Sequence, residues 1–218
     1  IQAPAGYTIA ATGEIKEKRE EGQHLIWEFS AQAVRDFAWL AGNRFQTISK
    51  KAGRTTVTSY YFTEDAGKKA LEYAVESMAY FNEAFGEYPY PRFNVVESDF
   101  FIGGMEYPNL IMLDHDLYKS NNSDYLELVT VHETAHQWWY GLVGSNQITD
   151  AWLDEGLTEY STVLYYGHRY GQEKEEEVYQ NIIGKGKYNN LQFFTYSNDI
   201  DETIHRPTYE FSSWVIYD

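Results

Sequence analysis

The chain has 218 residues, a formal net charge of −16 and no cysteine. That charge argues against nucleic-acid binding, because a phosphate backbone would be repelled, and it favours cationic ligands such as a protonated amine. Without cysteine there is no disulfide framework, and any bound metal must be held by nitrogen and oxygen. Aromatic residues are plentiful (20 Tyr, 12 Phe and 6 Trp), enough to core one good-sized domain, or a domain plus a fragment. There is no signal-peptide pattern and no apolar run of about 20 residues, so no membrane segment is expected in this stretch. The chain starts without Met, directly in strand-like sequence, and reads as a piece of a longer protein; its cellular location stays open.

Residues 1–62 read as β. Tyr7–Lys18 is strand-like, Glu20-Glu21-Gly22 makes a turn, and Leu25, Trp27 and Phe29 alternate with polar residues. Phe37 and Trp39 continue the pattern, and Ala52-Gly53 turns into Thr55–Tyr61, giving four expected strands. At Thr63 the period changes. Leu71, Ala74, Val75, Met78 and Phe85 follow helical spacing, with Thr63 as cap and Gly86 as stop. Phe93–Glu97 and Asn109–Leu113 read as strands. Between them Gly103-Gly104-Met105-Glu106 suggests a close approach of another backbone, and a strand there could hold an extended peptide by its edge.

Ser123 or Asp124 can cap the next helix. Tyr125, Leu128, Val129, His132, Ala135, His136 and Trp139 are spaced as its core-facing stripe, closed by Gly141 and Gly144. The stripe carries His132-Glu133-Thr134-Ala135-His136. Two histidines four apart lie one turn apart on one helix face, within reach of a single metal ion. Glu133 is placed to take a proton from a water on that metal without being a ligand. A hydrolytic zinc site needs a third protein ligand, and Glu155 is the candidate, with 18 residues between it and His136. Glu155 falls on a helix expected to start at Asp150, to pack by Leu153, Leu157, Tyr160 and Leu164, and to end near Gly167. Glu159 on the same helix reads as either a support for a ligand histidine or an exposed side chain. The run Glu173–Glu177 reads as a solvated helix face.

Gly103-Gly104-Met105-Glu106, His132-Glu133-x-x-His136 and Glu155 together resemble the zinc aminopeptidases of the alanyl aminopeptidase (aminopeptidase N) family, which are gluzincins. The likeness extends through Trp138-Trp139, Trp152-Leu153-x-Glu155-Gly156 and Asp36-Phe37-Ala38-Trp39. It implies an α+β chain. Residues 1–62 would be the end of an N-terminal β domain, and 63–218 the incomplete thermolysin-like catalytic domain, with a small mixed sheet and a metal-binding helix pair. It implies one zinc held by His132, His136 and Glu155, with Glu133 as general base. Glu106 would hold the α-amine of the substrate, Gly103, Gly104 and Met105 would lie along its backbone, and Tyr217 would stabilise the oxyanion. The expected substrates are peptides with a free N-terminal amine. Two positions depart from the family pattern: Tyr107 and Asp154 stand where asparagine is usual. A thermolysin-like endopeptidase, an epoxide-opening hydrolase related to the family, and a zinc-binding module that binds peptides without turnover remain alternatives.

Overall fold

The strand Thr8–Ala11 shows how the N-terminal part is built. Its alternate residues face two different cores. Ile9 and Ala11 pack with Ala3 and Trp27, whereas Ala10 packs with Ala38, Tyr60, Val96 and Leu110. A strand buried on both faces needs apolar residues without a gap, and Ile-Ala-Ala supplies them.

The computed structural model describes residues 1–100, 103–119 and 122–183. They fall into two units, Ile1–Gln137 and the part beginning at Trp138. Ten strands and four α-helices are described. The strands are β1 (Gln2–Pro4), β2 (Thr8–Ala11), β3 (Glu14–Glu21), β4 (His24–Ser30), β5 (Trp39–Gly42), β6 (Gln46–Ala52), β7 (Thr55–Tyr61), β8 (Arg92–Ser98), β9 (Gly104–Met105) and β10 (Leu110–Asp114). The helices are α1 (Glu64–Phe85), α2 (Ser123–Ala135), α3 (Trp152–Tyr170) and α4 (Gln172–Ile182). A short 3-10 turn spans His115–Tyr118.

The first unit holds three sheets, in the orders β1-β4-β3, β2-β5 and β6-β7-β8-β10-β9. In the five-stranded sheet β7, β8 and β10 run parallel, and β6 and β9 are antiparallel edges. It is therefore a mixed sheet. β7 and β8 are buried almost throughout, as expected of central parallel strands covered on both faces. The sheet crosses the expected boundary at residues 62/63, because β6 and β7 precede it and β8 to β10 follow it. Seven strands precede that point, against the four expected. The hairpin of β3 and β4 turns at Gly22, which has φ 63°, and that of β6 and β7 at Gly53, which has φ 58°.

Helix α1 packs on β6, β7 and α2. Leu71, Ala74, Val75 and Met78 are buried as expected, joined by Phe81. Thr63 precedes the helix but its side chain does not cap it. The carboxylate of Glu97, fully buried on β8, instead holds the two residues that lead into the helix. It accepts from the backbone N–H of Phe62 (2.7 Å) and Thr63 (2.9 Å), from the Thr63 hydroxyl (3.0 Å), and it meets His115 Nδ1 at 2.7 Å. A negative group at a helix start is favoured by the dipole as well as by the hydrogen bonds.

Two expected stripes are corrected. On α2 the buried residues are Leu126, Glu127, Thr130, Val131, Glu133, Thr134 and Ala135, while Tyr125 is 64% exposed and Leu128, Val129 and His132 are half-buried. On α3 the buried residues are Asp154, Thr158, Ser161, Thr162, Val163, Tyr165 and Tyr166, while Leu157 and Tyr160 are exposed. The cause is the same in both helices. Thr130, Thr134, Ser161 and Thr162 each donate a hydroxyl hydrogen bond to the carbonyl four residues back, so these polar residues enter the interior satisfied. Helix α2 stops at Ala135, before the expected Gly141. Helix α3 passes Gly167 and ends at Gly171, which has φ 91°. There α4 turns back along α3, and the Glu175 side chain lies where a Cβ on Gly167 would be, 2.7 Å from the Glu175 Cδ. The charge run Glu173–Glu177 lies on α4, which buries Val178 and Ile182 instead. Among the described residues no helix is long and apolar enough to cross a membrane.

Candidate active site

The last turn of α2 presents His132 and Glu133, and His136 follows as the residue that ends the helix, still in helical conformation (φ −59°, ψ −17°) with its N–H bonded to the His132 carbonyl at 3.2 Å. The two rings meet edge to face, with centroids 4.8 Å apart at 78°. Their Nε2 atoms are 3.1 Å apart. Two nitrogens on one tetrahedral zinc, each at about 2.0–2.1 Å, stand about 3.3 Å from each other, so the pair fits a shared metal ion. The same spacing also suits one N–H···N hydrogen bond between neutral imidazoles. His136 is buried and His132 half-buried.

Glu133 is 6% exposed and packs against the edge strand β9. A Cβ on Gly104 would sit 2.7 Å from the Glu133 Cγ, so only glycine leaves room for this side chain. The expected close approach at the glycine pair is thus made by a side chain rather than a backbone. Gly103 is needed for a different reason. It has φ 78°, with open space where its Cβ would be, and its carbonyl accepts from the Asp114 N–H at 2.7 Å. Met105 is half-buried and pairs across the sheet with Met112. Glu106 follows directly, 9% exposed.

The segment after Glu106 is tied at nearly every polar group. The Tyr107 carbonyl accepts from Leu110 N (3.0 Å) and from Gln137 Nε2 (3.3 Å). The Pro108 carbonyl accepts from the Thr12 hydroxyl at 2.9 Å, and the Asn109 carbonyl from Asn94 N at 2.8 Å. Asn109 N donates to Gln137 Oε1 (2.9 Å), and Asn109 Nδ2 donates to the Tyr88 hydroxyl (2.9 Å), which itself donates to Gln137 Oε1 at 2.9 Å. Burial pushes the Tyr88 hydroxyl well above the ordinary phenol range, opposed in part by its hydrogen bonds with Asn109, so it stays a neutral donor. Sequence reasoning missed Gln137, Asn109 and Tyr88. The one available signal was an amide standing directly after His136 among aromatic neighbours.

In the second unit Glu155 lies in the first turn of α3, half-buried, its N–H donating to the Ala151 carbonyl (3.0 Å) and to Asp154 Oδ1 (2.9 Å). Asp154, where the family usually has asparagine, is buried at 3% exposure and serves as this local acceptor. Glu159 is half-buried. Trp139 Nε1 donates to the Ser161 hydroxyl at 2.7 Å, which ties the segment after Gln137 to α3 within this unit. Tyr217 lies outside the described residues.

His132 and His136 converge from one helix with the buried Glu133 between them, and their nitrogens belong to a side-chain grouping able to hold a metal ion. The chain belongs to peptidase family M1: the Peptidase family M1 domain matches residues 69–213. Among curated relatives, it is 34% identical over 107 residues to Aminopeptidase M1-B of Oryza sativa subsp. japonica, covering 45% of this chain and 12% of the relative. It is 30% identical over 149 residues to Endoplasmic reticulum aminopeptidase 2 of Bos taurus, covering 63% and 16%. It is 28% identical over 174 residues to Aminopeptidase B of Homo sapiens, covering 76% and 26%. The matches thus take in about a quarter or less of each of these relatives.

Proposed function

We propose that this chain carries the metal-binding and amine-recognising part of a zinc-dependent aminopeptidase, which removes the N-terminal residue from peptides with a free amine. The observation that carries the reading is the 3.1 Å convergence of the His132 and His136 Nε2 atoms on a helix whose Glu133 packs against β9. Family membership and the aminopeptidase names of the relatives support it. In this reading His132, His136 and Glu155 hold one zinc ion, and residues 63–218 form the thermolysin-like catalytic part after the end of a β domain at 1–62, whose last strands β6 and β7 extend the sheet of β8, β10 and β9.

Bound there, zinc would act as a Lewis acid on the scissile carbonyl and lower the pKa of a water toward about 7. The Glu133 carboxylate takes the proton of the attacking water and delivers it to the leaving nitrogen. Its near-complete burial excludes bulk water from that transfer. The Glu106 carboxylate pairs with the substrate α-ammonium and leaves the first peptide bond beside the histidines. Gly104 and Met105 on the edge strand β9 offer the substrate an extended edge, to which a peptide can add as a further strand, and Gly103 turns the chain into it. The Tyr217 hydroxyl donates to the developing oxyanion, a contribution of about 3 kcal/mol when such a donor is lost.

Glu133→Gln in the intact protein tests the central role. Turnover of leucine p-nitroanilide should fall by about 10²–10⁴-fold, the usual share of a general base, while zinc content stays that of the unsubstituted protein. Unchanged turnover would contradict the assignment. Hydrolysis of an N-acetylated substrate as fast as the free-amine form would favour an endopeptidase instead.

A further inference from the structure

We infer that Gln137 is a positioning residue that fixes the Glu106 carboxylate relative to the histidine pair; this rests on the aminopeptidase reading above and deepens it. Gln137 follows His136 directly and is fully buried. Its one side chain reaches both ends of the turn that follows Glu106, through Nε2 to the Tyr107 carbonyl at 3.3 Å and through Oε1 from the Asn109 N–H at 2.9 Å. Tyr88 closes the network, donating to the same Oε1 and accepting from Asn109 Nδ2. Along the chain His136 and Glu106 are far apart. Through Gln137 the link is one side chain and one residue at either end.

The backbone of the turn shows why such a clamp is needed. Asn109 has φ 62°, a left-handed conformation uncommon outside glycine and tolerated best by asparagine. The two Gln137 bonds and the Tyr88 bond fasten the turn in this conformation, and the Thr12 and Asn94 bonds hold the Pro108 and Asn109 carbonyls. A substrate held by its amine at Glu106 and cut at the histidines needs the span between the two groups fixed. A misplacement of about 1 Å at such a site can cost about 10²-fold in rate. Gln137 therefore acts through Glu106, with no contact of its own to substrate required.

The test uses the intact, zinc-loaded protein, four single variants and one double variant. Gln137→Met keeps the length of the side chain and removes its three hydrogen bonds. The expected result is a KM for leucine p-nitroanilide raised at least about tenfold, kcat within about threefold, unchanged zinc content, and a smaller preference for the free-amine substrate over its N-acetyl form. Gln137→Glu retains the acceptor for Asn109 and Tyr88 but loses the donor to Tyr107, and should lie between. If Gln137→Met does not fold, Tyr88→Phe reads the same network and should raise KM about threefold. Glu106→Ala is run in parallel, alone and combined with Gln137→Met. The pair should be non-additive, because once Glu106 is gone its placement no longer matters. If Glu106→Ala removes the amine preference while Gln137→Met and Tyr88→Phe keep the original KM, or only lower thermal stability, the positioning role is overturned and the aminopeptidase reading stands. If Glu106→Ala leaves the amine preference intact, the reading itself fails and the inference falls with it.

Discussion

Helix α1 buries a mostly apolar face and helix α2 a largely polar one, and the contrast explains where sequence patterns can be trusted. The buried face of α1 is made of Gly67, Ala70, Leu71, Ala74, Val75, Ser77, Met78 and Phe81, apolar at helical spacing but for Ser77, whose hydroxyl donates back to the Tyr73 carbonyl. The buried face of α2 centres on Thr130, Val131, Glu133 and Thr134, and its aromatic Tyr125 points to solvent. Helix α1 is scaffolding, held by area removed from water. Helix α2 carries the proposed chemistry. Its inward face keeps polar groups in place by bonding each hydroxyl to its own helix, and Glu133 is held against a glycine. Helix α3, which carries Glu155, follows the α2 pattern through Thr158, Ser161 and Thr162.

The sharpest break in that comparison is Met78→Ala. Met78 is fully buried, so truncation should cost about 2–5 kcal/mol in denaturant unfolding; a loss under about 1 kcal/mol would mean α1 is not held by its apolar stripe. Alkaline titration comes next. Burial raises the phenol pKa of Tyr88 and of Tyr118, and the Glu97 charge adds to the second. Both residues ionise near pH 10 when unfolded and stay protonated at that pH when folded. Their contribution is thus complete below about pH 10 and is lost as pH rises toward the folded values, by about 1.4 kcal/mol per pH unit for each group. Phenolate absorbance from these two should appear together with loss of helical circular dichroism, and its appearance in a still-folded chain would contradict the burial. Thr134→Val is expected to change stability by no more than about 1 kcal/mol, since one back-bonded hydroxyl is exchanged for a methyl of similar shape. Tyr125→Ser, at the expected but unobserved core position, should stay within about 0.5 kcal/mol by the same assay. If Tyr125→Ser costs as much as Met78→Ala, the difference between the two helices disappears.

What the sequence makes legible is what depends on short-range spacing. The helical period of α1, the turns at Gly22 and Gly53, and the pairing of His132 with His136 all follow from neighbours within a few residues. The extra strands were hidden for identifiable reasons. Thr12-Gly13 splits one strand-like run into β2 and β3, and β3 is charged nearly throughout, so it lacks the alternation that marks a half-buried strand. It forms because β4 pairs with it along its length. The stripes on α2 and α3 were misread because serine and threonine count as polar in any hydropathy pattern, although hydrogen bonds within the helix make them good interior residues. The Gln137 network was illegible because its partners are brought together only by the path of the five-stranded sheet. Tyr88 is 49 residues from Gln137, and Asn109 is 28.

That the converging histidines form part of a zinc site serving an exopeptidase is an assignment with a direct readout. It is tested most directly by elemental analysis of the intact protein, paired with leucine p-nitroanilide hydrolysis before and after a chelator and with the N-acetylated substrate. About one zinc per chain is expected, with loss of turnover on chelation, recovery when zinc is returned, and no cleavage of the blocked substrate. Turnover that survives complete removal of metal would contradict it, as would a protein that takes up no zinc on reconstitution.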